Sequence, residues 1–337
     1  MSERDRLIDD FLARAGWADA IRRPLAGDAS FRRYERVTRA DLTAVLMDAP
    51  PPKEDVRPFV AMTRHLRALG YSAPELLAED AAAGLLLLED LGDATYGRAL
   101  AEGADKRVLY EAAVEFLVDL HARPESATVP AWLQPYDESR LLTEAELLTD
   151  WYMPRVFGRP TAPSIKQAYQ DIWRALAPVT RAAGRTLVMR DFFADNLVWL
   201  PKRPGIQKVG VLDYQDALAG SPAYDVMSLI EDARRDTDAA LERHLLDRYR
   251  SARPEIDHAA FHAAYVVLAA QRHCKVIGIF TRLHVRDGKP GYLAHIPRLW
   301  RLLERACREP LLAPLRTWLD DAIPAGARKM PMSEPVI

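Results

Sequence analysis

Residues 197–200 and 208–212 read as two short strands about a turn at 201–205 that carries Pro201, Pro204 and Gly205, and this hairpin interrupts a region that otherwise has helical spacing. A hairpin there leaves Asp191 on the turn before its first strand and Asn196 at that strand's start, with Phe192, Phe193 and Leu197 free to pack beneath. It also brings Asp213, just past the second strand, back beside Asn196. Asn196 and Asp213 both offer oxygen donors, the kind magnesium takes. Taken singly, Asp191 fits a turn cap and Asp213 a strand end. Taken with the hairpin, the three form a set suited to phosphoryl transfer: Asp191 orients a hydroxyl, while Asn196 and Asp213 hold magnesium on the phosphates of ATP.

The pattern ahead of this motif is different. Residues 1–17 mix charge with Leu7, Ile8, Phe11 and Leu12 at helical spacing, which describes an amphipathic helix and not a signal peptide. Residues 24–37 alternate about Gly27-Asp28 as a hairpin would, 42–47 read as the next strand, and 56–69 as a helix ending at Gly70. Leu76-Leu77 and 85–88 complete a small sheet. Helical spacing then fills 105–122, 138–157, 164–183, 224–250, 258–284 and 295–308, with the hairpin as the single β insertion. The order implies an α+β chain with a bilobal protein-kinase-like fold. A small, mainly β N-lobe would span 1–92 and a larger, mainly helical C-lobe 93–322. Residues 323–337, with three prolines, are expected to form a mobile tail. Glu89 to Leu91 falls where such a fold joins its lobes, and an extended hinge there would offer backbone N–H and C=O groups to adenine; a strand ending in a turn explains the same residues.

At 337 residues, 49% hydrophobic and 28% charged, the chain is long enough for two cores. A formal net charge of -2 without a basic block argues against a nucleic-acid partner. No apolar run is long enough to cross a membrane. Cys274 and Cys307 lack metal-ligand spacing and suit a reducing compartment, so the expectation is a cytoplasmic protein acting on a small molecule. Its oligomeric state is left open.

With those residues placed, the chain resembles the aminoglycoside phosphotransferase and choline kinase superfamily over residues 20–310. That family's catalytic loop appears as Met189-Arg190-Asp191 with Asn196, its metal-binding Asp as Asp213, and its buried Pro-x-x-Asp element as Pro222-Ala223-Tyr224-Asp225. The resemblance implies a supporting role for Asp225, bracing the loop through backbone hydrogen bonds. Segments 46–51, 191–197 and 270–283 are closer to bacterial cell-wall recycling kinases that phosphorylate N-acetylmuramate and N-acetylglucosamine at the anomeric hydroxyl. In the last segment Gln271, Arg272 and Lys275 would sit on the acceptor side, although a solvated helical face accounts for them too.

The chain departs from the family pattern at several positions. Met47 stands where kinases keep a strand lysine, so Lys53 or Arg33 would have to reach the phosphates instead. The phosphate-covering loop lacks GxGxxG, which leaves Ser30 and nearby backbone N–H groups as contacts, and Met189 replaces a supporting His. The resulting expectation is an ATP- and magnesium-dependent amino-sugar kinase with Asp191 as base. The alternatives are an aminoglycoside or other small-alcohol phosphotransferase of the same fold and a catalytically idle nucleotide-binding relative.

Overall fold

The computed structural model describes residues 2–25 and 32–331, and the chain divides by contacts into two compact units. The first comprises residues 1–116 with 194–217, and the second 117–193 with 218–337. The division therefore falls beyond residue 92, and it groups the 197–212 hairpin with the N-terminal sheet.

In the first unit, five antiparallel strands pair in the order β1-β2-β3-β5-β4: β1 (Ile21–Pro24), β2 (Arg33–Arg39), β3 (Leu42–Asp48), β4 (Leu76–Asp80) and β5 (Leu85–Glu89). Strand side chains alternate between faces, and one face carries Val37, Ala44, Leu46, Leu85 and Leu87. Helix α1 (Glu3–Arg14) covers it with Ile8, Phe11 and Leu12, and Ser2 and Asp5 form a capping box at the helix start. The other face presents Tyr34 and Arg36 of β2 beside Met47 and Val45 of β3. Helix α2 (Arg57–Ala68) places Phe59 on the ring of Tyr214, 5.1 Å between centroids, and the Thr63 hydroxyl 2.7 Å from that of Tyr214. Backbone bonds tie the hairpin to this unit. Val211 N–H donates to the Ser72 carbonyl at 3.0 Å, and Trp199 N–H to that of Ala94 at 2.8 Å.

The second unit is helical apart from one ribbon. A 30-residue helix, His258–Asp287, forms its centre, with apolar or small residues around most of its circumference. Asp257 caps its start through the N–H groups of Ala259 and Ala260, and Gly288 ends it at φ 64°. The shorter helices Glu138–Ala145, Pro163–Arg181, Ala223–Ile230 and Ile296–Ala306 pack on it.

Five expectations change here. The stretch 138–157 divides at a π-helical turn, Leu148–Tyr152, and 224–250 breaks into Ala223–Ile230 and Ala239–Ala252, where Asp238 caps the second helix. The hairpin is not the single β insertion after the N-terminal sheet, because Thr186–Val188 pairs with Leu218–Gly220; strands of three residues carry too little alternation to be read from sequence. A further helix, Ala313–Ala322, follows residue 308. The first part of the expected tail is held: Lys329 N–H donates to the Tyr152 hydroxyl at 3.0 Å, and Arg328 pairs with Glu304 at 3.1 Å.

Gly278 lies where the long helix meets the backbone of Leu147. A Cβ on it would stand 2.3 Å from the carbonyl carbon and oxygen of that residue. Backbone cannot move aside as a side-chain tip can, so Gly278→Ala should cost about 3 kcal/mol or more and lower the melting temperature clearly, as read by calorimetry. His121 supplies a second test. It is buried with Nδ1 2.8 Å from the Tyr249 hydroxyl, and burial, aided by Arg253, brings its pKa down to about 3. The folded state thus keeps this ring neutral while the unfolded chain binds a proton below about pH 6.5, so stability falls as the pH drops from 6.5 toward 3. Urea unfolding at pH 5 against pH 7 should show about 2 kcal/mol of loss from this group that His121→Gln removes.

Candidate functional site

The uncovered sheet face of the first unit lines a cavity of about 310 Å³ that also takes in Asn196, Leu212 and Asp213. The hairpin builds one end of it. Leu212 N–H donates to the Asn196 carbonyl at 2.9 Å, closing the two strands so that the side chains on either side of the pair converge. Asn196 Nδ2 lies 3.4 Å from Asp213 Oδ2, and Gln215 Nε2 donates to Asp213 Oδ1 at 2.8 Å. Asp213 has φ 57°, a left-handed value that an Asp tolerates better than most residues. An amide and a carboxylate this close fit a hard cation: magnesium takes one or two protein oxygens and completes its shell with water and phosphate. No group of three or more His, Cys, Asp or Glu side chains is gathered for a metal among the described residues, so a fuller protein cage is not on offer.

The opposite end holds Glu89 and Leu91, both expected to contact nucleotide, and both line the cavity. The Glu89 carboxylate pairs with Arg203 and accepts from Glu75 N–H at 3.2 Å. Met47 lines the cavity as well, with 1% of its surface exposed, so β3 turns an apolar thioether toward it. Neither expected substitute faces it. Arg33 is exposed and sits at the opposite parity of β2 from Tyr34 and Arg36, while Lys53 is exposed in the turn after β3. Ser30 and Gly27 lie outside the described residues.

The cation that does line the cavity is Arg36, which the sequence reading missed. Its parity in β2, two residues from the Tyr34 that pairs with Met47, was the available signal. It clamps Asp90 at 2.6 and 3.1 Å and Asp93 at 2.8 and 2.9 Å, and these carboxylates push its pKa up. Arg36 therefore fastens the segment after β5.

In the second unit, Thr186–Val188 delivers Met189, Arg190 and Asp191 into a turn. Asp225, on Ala223–Ile230, accepts Met189 N–H at 2.7 Å and Arg190 N–H at 3.0 Å. Burial pushes the Asp225 carboxyl up to about 7 against these two hydrogen bonds. Arg190 has φ 67°, and its carbonyl accepts from Arg272 Nη1 at 2.8 Å. Arg272 also donates to the Tyr224 hydroxyl at 3.1 Å and stands 3.5 Å from Asp191 Oδ1. The Asp191 side chain is 33% exposed, so a carboxylate braced from behind still meets solvent.

This arrangement redirects the three residues expected to contact the acceptor. Gln271, Arg272 and Lys275 are all buried. Gln271 donates to the Leu141 carbonyl at 3.1 Å, and Lys275 lies 3.0 Å from Glu144, which also pairs with Arg190 and accepts from the Tyr136 hydroxyl at 2.8 Å. Burial raises the Glu144 carboxyl, but Lys275 and Arg190 outweigh it and bring the pKa down to about 2. Arg272 directly, and Lys275 through Glu144 and Arg190, thus support the loop carrying Asp191.

A family model described as the APH phosphotransferase enzyme family matches residues 21–263. The chain is 38% identical to the N-acetylmuramate/N-acetylglucosamine kinase of Caulobacter vibrioides, over 97% of this chain and 99% of that one. It is also 38% identical to the kinase of the same name from Pseudomonas aeruginosa, over 96% and 95%. Among solved structures, the choline kinase LicA from Streptococcus pneumoniae superposes with a TM-score of 0.63 at 12% identity, covering 91% of this chain and 100% of that one, which supports the protein-kinase-like fold. With a family model covering most of its length and relatives matching end to end, the chain belongs to the APH phosphotransferase enzyme family.

Proposed function

We propose that this protein is an ATP-dependent sugar kinase that phosphorylates the anomeric hydroxyl of N-acetylmuramate, N-acetylglucosamine or both, serving peptidoglycan recycling in the cytoplasm. The observation that carries the reading is the end-to-end identity of 38% with kinases named for those two sugars. No described helix is long and apolar enough to cross a membrane.

On this reading Asp191 accepts a hydrogen bond from the acceptor hydroxyl, aligns it and takes its proton late in the transfer. The anomeric hydroxyl is the most acidic of the sugar, which eases that step. Asn196 and Asp213 hold magnesium, whose charge offsets that of the nucleotide phosphates. Backbone groups from Glu89 to Leu91 take the adenine. Asp225 and Arg272 keep the Met189–Asp191 backbone in the conformation that presents the carboxylate.

Coupled detection of ADP with N-acetylmuramate, N-acetylglucosamine, kanamycin and choline tests the substrate class, with turnover expected for the first two alone. Nucleotide binding without turnover of any acceptor would instead support an idle relative, the reading that Met47 favours. Asp191→Ala should lower kcat by about 10²- to 10⁴-fold while magnesium-ATP binding, followed by calorimetry, is retained. Asp213→Ala should weaken that binding itself.

A further inference from the structure

A cavity of about 790 Å³ opens in the second unit between the π-helical turn Leu148–Tyr152 and the end of the long helix His258–Asp287. Its volume lies in the range of small-molecule sites. Just beyond the close contact of Gly278 with Leu147, the π-helical turn buries Leu148, Thr149 and Tyr152 and gives Asp150 and Trp151 to the cavity lining. Single π turns inside helices recur at functional sites, because the extra residue re-aims the side chains around it. Gly158 and Gly288 close the two helices that flank the cavity, at φ 66° and 64°, and both line it. Each left-handed residue turns the chain back along the wall, which brings in Arg159 on one side and Pro290 on the other.

The polar groups of this lining are unevenly committed. Its one acid, Asp150, is matched by Lys166 at 2.9 Å, whereas Arg155, Arg159 and His284 supply cationic or donor groups. Arg159 is exposed, and neither its guanidinium nor the Trp151 indole N–H has a hydrogen bond or ion pair among the described residues. The half-buried His284 ring also lacks a partner there, although its Nδ1 is closed off from solvent. A buried nitrogen left unmatched carries a desolvation cost that a bound polar group removes. Trp151, Val285 and Pro290 add apolar surface. An indole offers a flat apolar face to the C–H side of a sugar ring and an N–H to its hydroxyls, while a guanidinium takes a carboxylate or phosphate through two parallel hydrogen bonds. We infer that this groove is a binding site for an anionic amino sugar, with the ring on Trp151 and the acid group on Arg159 and His284. None of these side chains belongs to the phosphoryl-transfer set, so the assignment holds whether or not the chain phosphorylates sugars.

Fluorine NMR of the full chain carrying 5-fluorotryptophan tests it locally, since Trp151→Phe identifies one resonance among those of the seven tryptophans. Without nucleotide, N-acetylmuramate and N-acetylglucosamine 6-phosphate should each shift the Trp151 resonance, and the tighter of the two shows whether the groove prefers a carboxylate or a phosphate. Uncharged N-acetylglucosamine should bind at least about tenfold more weakly, the size of a missing charge-assisted hydrogen bond. Arg159→Gln and His284→Gln should each weaken the two acids by about 10- to 100-fold and leave the neutral sugar within about threefold, with the melting temperature reporting an intact fold. A Trp151 resonance that no sugar moves, equal affinity for charged and neutral sugars, or acids that bind both variants as they bind wild type would overturn the assignment. So would a resonance that follows protein concentration instead of sugar, which would make the groove an interface between copies of the chain. Turnover is measured separately by ADP release, so this site and the sugar-kinase reading can each fail alone.

Discussion

The second unit depends on how the Met189-Arg190-Asp191 backbone is held. Arg190 occupies a left-handed conformation that costs a residue with a side chain roughly 1–2 kcal/mol, and the cost is met from both sides of the peptide. Asp225 takes the two N–H groups and Arg272 takes the carbonyl. Both partners are buried, so each of these bonds forms in a low-dielectric setting where an unmatched group would be costly. The carboxyl of Asp225 feels that cost directly, since burial carries it up to about 7 even with both hydrogen bonds in place. The reward is rigidity at Asp191, whose carboxylate is the exposed end of an otherwise enclosed assembly.

The same logic extends to the polar side chains of the long helix, His258–Asp287. Buried cations must be paired, and a partner removed from such a pair leaves a charge worth several kcal/mol of destabilisation. Lys275, Arg190 and Glu144 satisfy one another, and Arg272 is shared among Arg190, Tyr224 and Asp191. Charges paired this way stabilise the loop.

What the sequence made legible follows from how far each signal extends along the chain. The capped amphipathic helix at Glu3–Arg14, the alternation of β2 and β3 and the turn chemistry of the 197–212 hairpin are local patterns several residues long, and they appear in the structure with shifts of a residue or two. The pairing of Asn196 with Asp213 follows from the hairpin alone. Three-residue strands such as Thr186–Val188 carry no readable period, so the second ribbon was invisible. The break at 231–238 was hidden for a different reason. Apolar spacing continues on either side of it, and only the Asp238 cap marks the restart. The burial of Gln271, Arg272 and Lys275 was illegible because their partners, Leu141, Glu144 and Arg190, are distant in sequence.

In the first unit, charge placement sets a constraint of its own. Met47 removes the strand cation, and Arg36, the one cation among the described residues lining the cavity, is bonded to Asp90 and Asp93. Glu89 and Asp213 add two more acids to that lining, so its described side chains carry more negative than positive charge. A polyanionic nucleotide entering such a cavity needs positive charge brought with it, and the amide and carboxylate of Asn196 and Asp213 are the groups suited to receive a hard cation. On the proposed reading, the metal ion thus takes over part of what a strand lysine does elsewhere. Arg36 is left to do mechanical work, fixing the segment after β5 against the sheet through Asp90 and Asp93.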